Sequence, residues 1–107
     1  MEDCIFCKIA GGDPKNFVWQ NDVAVAVKDL YPKAPVHVLV MPRQHMPNLD
    51  HLEDSELAGK LLLAVREVAH AVGLKGRWQM RVNNGRTVGQ SIDHLHFHIL
   101  GGKEMPE

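Results

Sequence analysis

The run His94-Leu95-His96-Phe97-His98-Ile99-Leu100 constrains this chain more than any other stretch of its 107 residues. Successive side chains of a strand point to opposite faces. A period of two therefore puts the three imidazoles on one face and Leu95, Phe97 and Ile99 on the other. The fold must supply an apolar layer beneath this strand and leave the histidine face able to react. A core that needed only volume would not gather three titratable rings on one strand.

Two kinds of chemistry use such a comb. His-x-His on a strand sets two imidazoles where one Zn²⁺ can take both. Alternatively, one neutral imidazole attacks as a nucleophile while its neighbours orient it and supply a proton. The preceding stretch, Asn83-Asn84-Gly85-Arg86-Thr87-Val88-Gly89-Gln90-Ser91, is a loop with two glycines, amides, hydroxyls and an Arg. By itself it reads as a hairpin turn around Asn84-Gly85. Joined to the comb, its backbone N–H groups suit an anion, and the two together point to phosphoryl transfer onto a histidine.

Composition narrows the partners. A chain of this length, 45% hydrophobic and 23% charged, makes a single domain over 1–107 with its own core. A net charge of -1 argues against a nucleic-acid polymer as partner, because such binders carry a basic excess to displace counterions from phosphates. A small nucleotide stays open. Met1-Glu2-Asp3-Cys4 has no basic segment leading into an apolar run, so no signal peptide, no membrane span and a cytoplasmic location are expected. Cys4 and Cys7 are too close to staple a secreted domain. They leave a metal half-site, a redox pair or two reduced thiols. A thioredoxin-like redox motif would follow a strand, and none is predicted here. A metal would need two more ligands from His37, His45, His51, His70, His94, His96 and His98.

Along the chain, Cys4–Ala10 reads as a short helix with Ile5, Phe6 and Ile9 on one stripe, ended by Gly11-Gly12. Phe17–Gln20 and Val23–Val27 read as a hairpin turning at Asn21-Asp22. Tyr31–Pro35 is a connection, and Val36–Met41 a strand closed by Pro42. One long helix is predicted from Ser55 to Val72, with Asp54 or Ser55 as N-cap and Gly73 as the stop. Its core stripe is Leu57, Leu61, Ala64, Val65, Val68 and Val72. Ala58, Leu62, Leu63 and Ala69 leave little of its circumference polar, which predicts a homodimer or deeper packing in one domain. Trp78–Asn83 is a fourth strand with Trp78, Met80 and Val82 inward. The order predicts an α+β domain on one antiparallel sheet of about five strands, with one short N-terminal helix and one long helix. From the residues alone, Ile5, Phe6, Ile9, Val27 and Leu30 are core, Asp29 is a loop carboxylate and His37 a strand residue.

The segment Gly89-Gln90-Ser91-x-x-His94-Leu95-His96-Phe97-His98-Ile99-Leu100-Gly101-Gly102, followed by Lys103, resembles the signature of the histidine triad (HIT) superfamily, His-φ-His-φ-His-φ-φ with φ apolar. Its Gly-Gly continuation is similar to the nucleotide-binding branch, and the resemblance runs from about Cys4 to Met105. It implies a HIT-like fold and a hydrolase or transferase acting at the α-phosphorus of a nucleoside 5′-phosphate derivative, adenosine 5′-phosphoramidate above all. A purine nucleotide such as AMP is the implied ligand, and a homodimer the implied assembly.

In that family pattern His96 is the nucleophile and becomes a transient nucleotidyl-phosphohistidine. His98, with Ser91 as partner, steers a proton to the leaving group, and His94 orients His96 through its backbone carbonyl. His37 lines the phosphate site, while Asn83, Gly89, Gln90 and the Ser91 N–H hold the phosphate. Asp29 takes the ribose hydroxyls, and Ile5, Phe6, Ile9, Val27 and Leu30 enclose the base. Similarity to zinc-carrying bacterial members implies a structural Zn²⁺ on Cys4, Cys7, His45 and His94, with no organic cofactor.

Two other readings stay open: a dinucleoside polyphosphate hydrolase, and a nucleotide-binding, zinc-stabilised interaction module with little turnover. Gly101-Gly102 favours the phosphoramidate branch. His98 argues against a galactose-1-phosphate uridylyltransferase-like role, in which that position is Gln. Asp93 departs from the aromatic or apolar residue common in relatives, and the tail ending at Glu107 omits residues that in relatives reach the partner's active site. Both leave the leaving group open.

Overall fold

The structure, a computed structural model, describes residues 3–106. Met1 and Glu2, on which the expectation of no signal peptide partly rests, and Glu107 lie outside the described residues. Strands β1 (Trp19–Gln20), β2 (Ala24–Lys28), β3 (Val36–Pro42), β4 (Trp78–Arg81) and β5 (Phe97–Gly101) form one antiparallel sheet in the order β1-β2-β3-β5-β4. Helix α1 (Ile5–Ala10) packs against β3, and α2 (Ser55–Ala71) lies across β2, β3 and β5. The predicted α+β architecture is thus the observed one. No helix among the described residues is long and apolar enough to cross a membrane.

Period-two alternation sorts the central strands into two layers. Ala24, Ala26, Val38, Val40, Phe97 and Ile99 face α2 and join Leu61, Ala64, Val65, Val68 and Ala69 in the main core. Val25, Val27, Leu39 and Met41 face the other way and close over Phe6 and Ala10 of α1. A strand covered on both faces has no room for unpaired polar groups, and His37, the one polar residue of β3, is hydrogen-bonded at both ring nitrogens.

The helix ends follow local chemistry. The Asp54 carboxylate accepts from Glu56 and Leu57 N–H at 2.9 and 3.2 Å, so Asp54 and not Ser55 is the N-cap of α2. The chain turns out at Gly73 with φ +85°. Cys4 caps α1, its Sγ accepting from Cys7 N–H at 3.2 Å, so the helix begins one residue later than predicted.

Several expectations need correction. Ala69 is part of the core and not of a second apolar side, because it shares its face with Val65 and Val68. Met80 is 43% exposed and not inward, since it sits on edge strand β4 beyond the strands that α2 covers. The strand proper begins at Phe97, so only His98 of the three histidines lies within it. The backbone before it is engaged elsewhere: His94 N–H donates to the Ile92 carbonyl and Leu95 N–H to the Met46 carbonyl, both at 2.8 Å. The side-chain alternation nevertheless holds, with Leu95 in the core under α2 and both imidazoles on the opposite face.

Gly101 ends β5 where a neighbour comes too close for any side chain. A Cβ there would stand 2.9 Å from the Arg77 carbonyl oxygen and 2.9 Å from Leu74 Cδ1. Gly101→Ala is expected to destabilise the fold by about 1–3 kcal/mol through overpacking, read as a shifted urea midpoint at unchanged slope. A midpoint equal to that of the parent would mean that the strand end gives way freely.

Candidate active site and metal centre

All three histidines, His37 and α1 meet on the sheet face opposite α2. His96 Nδ1–H donates to the His94 carbonyl at 2.8 Å, which fixes the tautomer and leaves Nε2 with its lone pair. Phe6 stands edge-on to this ring with centroids 5.0 Å apart, so α1 fixes its plane.

The next imidazole is held by a chain of donors. Lys33 N–H donates to His37 Nδ1 at 3.0 Å, which puts the His37 ring proton on Nε2. That Nε2–H reaches His98 Nδ1 at 3.0 Å, so His98 carries its own proton on Nε2. The register makes this possible: His98 lies opposite Leu39, placing it diagonally from His37 on the same face, within reach of two long side chains. Burial, with the charges of His96 and His37 if they protonate, pushes the His98 pKa down to about 4. Burial also lowers that of His37, against the pull of Asp29.

Both rings therefore stay neutral at pH 7. Their folded pKa values lie below the ordinary 6.5, so as pH falls the unfolded chain takes up protons that the folded chain refuses. The stability they contribute is complete above about pH 6.5 and is lost as pH falls toward the His98 value of about 4. Each deferred proton gives a slope of up to about 1.4 kcal/mol per pH unit. Urea unfolding at pH 7, 5.5 and 4.5 is expected to show this decline, and a flat profile would contradict it.

A second cluster lies on the far side of His96. Cys4 Sγ is 3.2 Å and Cys7 Sγ 3.5 Å from His94 Nδ1, and Cys7 Sγ is 3.3 Å from His45 Nδ1. All four donor atoms lie within 4.8 Å of one another. A tetrahedral ion at ordinary Zn–N and Zn–S lengths spaces its ligands by about 3.3–3.8 Å, close to these separations. The tautomer fits as well. His94 is fully buried, and its Nε2–H donates to the Pro42 carbonyl at 2.8 Å, which turns the Nδ1 lone pair toward both sulfurs. This cluster can hold a metal ion.

Asp29, His37 and His98 also bring three ligand-type atoms together. Here the hydrogen bonds oppose a metal, because His37 Nε2 carries the proton and acts as a donor. The tautomers thus leave the Cys4, Cys7, His45 and His94 cluster open to a metal ion and set the Asp29, His37 and His98 cluster against one.

Between α1, the Asp29–Tyr31 segment and His96 lies an apolar cavity of about 260 Å³. Ile5, Phe6, Ile9, Val27 and Leu30 all line it, yet Ile5 and Leu30 are exposed rim residues and not core, because nothing covers them from outside. Asp29, Tyr31, Ser91 and His98 are shared with an adjoining polar cavity of about 390 Å³, which Lys33, Arg81, Asn83 and Gly89 also line. The Asp29 carboxylate accepts from Tyr31 N–H at 2.8 Å and stands 3.3 Å from His37 Nε2, so it is fixed in place at the junction.

Two expected roles do not match the geometry. Gln90 is 2% exposed and braces the loop, its Nε2 donating to the Pro47 and Ile92 carbonyls and its Oε1 accepting from Gly85 N–H. Its own N–H donates to the Gly85 carbonyl, so no donor is left for a phosphate. Ser91 makes no hydrogen bond to His98, whose Nδ1 partner is His37. Asp93, the departure from the family pattern, pairs with Arg86 at 2.9 Å and ties the loop to the histidine segment. Lys33 and Arg81 were missed, because isolated cations carry no periodic signal.

The sequence profile of the HIT domain matches residues 11–105. The chain belongs to the HIT family. It is 45% identical over 105 residues to an uncharacterised HIT-like protein of Synechocystis, covering 95% of this chain and 92% of the relative. A HIT family hydrolase from Legionella pneumophila superposes with a TM-score of 0.88 at 34% identity, covering 97% of this chain and 96% of that one. A histidine triad nucleotide-binding protein from Candida albicans superposes at 0.79 with 27% identity, over 98% and 85% of the two chains. The fold is that of HIT hydrolases, and the histidine cluster occupies one face of it.

Proposed function

We propose that this HIT protein hydrolyses nucleoside 5′-phosphate derivatives at the α-phosphorus, adenosine 5′-phosphoramidates first among them, through a nucleotidyl-phosphohistidine on His96. The observation that carries the reading is the His96 ring, with Nδ1 committed at 2.8 Å to the His94 carbonyl. Its Nε2 makes no protein hydrogen bond among the described residues, and the ring lines the apolar cavity that would hold a base. The names of the Legionella and Candida neighbours support a hydrolase that binds nucleotides.

In this reading Nε2 attacks phosphorus and the P–N bond breaks. The nitrogen leaves with the bonding pair and takes a proton from His98 Nε2–H, supported by the His37 hydrogen bond to Nδ1. The anionic substrate brings one proton from solvent onto the His37–His98 pair before this step, so His98 is left neutral after donating, and the His96 ring, which keeps its Nδ1 proton, is cationic while phosphorylated. Water then gives its hydroxyl to phosphorus and its proton back to His98. Asn83, Gly89 and the Ser91 N–H line the phosphate side, Asp29 faces the ribose, and Ile5, Phe6, Ile9, Val27 and Leu30 enclose the base. Incubation with adenosine 5′-phosphoramidate should release AMP at steady state. AMP binding without turnover would favour an interaction module.

Cys4, Cys7, His45 and His94 are proposed to hold Zn²⁺, a donor set suited to that ion. When bound, the ion supplies a fixed charge that anchors the His94 ring, while the His94 carbonyl orients His96.

The protein is further proposed to be a homodimer paired through α2. Leu62 and Leu63 are 57% and 53% exposed on that helix. A lone domain has little reason to present two adjacent leucines to water. Leu63→Asp is expected to weaken the dimer by a few kcal/mol by setting a carboxylate in an apolar contact, seen as a shift toward monomer in sedimentation. A parent protein that already sediments as a monomer at micromolar concentration would end the idea.

A further inference from the structure

The apolar cavity is only half of the groove. On the other side of His98 the polar cavity of about 390 Å³ carries two cations, Lys33 and Arg81. Arg81 lies directly opposite His98 in the β4–β5 ladder, so its side chain shares the face of that imidazole. Gln79 aims it: its Oε1 accepts from Arg81 Nη2 at 3.2 Å, while its amide donates to the Pro106 carbonyl. Lys33 belongs to the connection whose backbone N–H holds His37. One carboxylate, Asp29, lines the same space, but it already accepts from Tyr31 N–H and stands beside His37. The positive charge is therefore in excess, on the side of His98 away from the base pocket.

An in-line displacement places the departing group opposite the entering nucleophile. With the base in the apolar cavity and His98 donating to the departing atom, that group extends into the polar cavity. We propose that Lys33 and Arg81 make this HIT protein selective for leaving groups that bear their own negative charge, an inference that rests on the α-phosphorus reading above. The anion is a carboxylate on a departing amine or a phosphate chain. Both present oxygens that a guanidinium and an ammonium can take.

The test compares adenosine 5′-phosphoramidates of β-alanine, propylamine and 1,3-diaminopropane, matched in length and differing in charge, with diadenosine triphosphate as the phosphate arm. Turnover is measured on the parent protein and binding on the His96→Ala variant. The expected order of kcat/KM and of affinity is anionic over neutral over cationic, with about a tenfold span between the extremes from two exposed charges. The span should narrow with salt and fall to within about twofold in a Lys33→Gln, Arg81→Gln double variant. Whether β-alanine or the triphosphate leads identifies the source of the anion. A span near one, or one that persists in the double variant, overturns the proposal even when every amide is hydrolysed. Charge-ordered binding without any turnover would keep anion recognition by Lys33 and Arg81 and remove the α-phosphorus reading instead.

Discussion

His96→Ala is expected to lower turnover of adenosine 5′-phosphoramidate by about 10⁴-fold or more, while AMP still binds. The change removes the ring that lines the apolar cavity and whose Nε2 has no protein partner among the described residues, and with it the covalent route. The fold should survive, because Leu95 and Phe97 face the opposite layer and keep their packing under α2. Phe6 loses an edge-on partner, so the cost falls on one wall of the pocket. Protein labelled on phosphorus and quenched should carry an acid-labile phosphohistidine in the parent and none in the variant. Retention of more than about a tenth of the parent activity, against a loss of the order given above, would exclude His96 as the nucleophile.

Changing Cys4 and Cys7 together to Ser is expected to release the metal and to lower the melting temperature by roughly 15–30 °C. That figure follows from a binding contribution of about 4 kcal/mol at a thousandfold saturation and about 4–8 °C per kcal/mol for a domain of this size. Metal analysis should fall from about one Zn²⁺ per chain to near none. Activity should persist in part, since the cluster reaches the reacting ring through the His94 carbonyl and through Phe6 of α1 and not by direct contact. Equal melting temperatures for parent and variant would leave the cysteine pair without a structural role. Chelation that abolished turnover but not folding would instead place the metal in the reaction.

Much of this was legible in the residues, where a local rule links sequence to geometry. The alternation at His94–Leu100 separated the reactive face from the packed face, and it held even where the strand itself had not begun. The 3.6-residue stripe of α2 and its Asp54 cap were equally local. The C-x-x-C spacing offered a metal half-site among its readings, beside a redox pair and two reduced thiols, since a first helical turn brings residues 4 and 7 to one side. His45 and His94, which complete the cluster that could hold a metal, came from family resemblance, because nothing in the spacing singles them out among seven histidines.

Only the tertiary structure decided which neighbour each polar group meets, because hydrogen-bond partners depend on strand register and not on residue type. His98 bonds His37 and not Ser91, since β3 and β5 pair with Leu39 opposite His98. Gln90 turns inward because Pro47 and Ile92 offer it carbonyls from across the loop. Leu30 and Ile5 became the rim of a cavity because no further element covers them. Lys33 and Arg81, 48 positions apart by their numbering, line one cavity only because the sheet order sets β3, β5 and β4 side by side. The chemistry of the comb was thus written in a short stretch, while the environment that tunes it is assembled from four separated segments that only folding brings together.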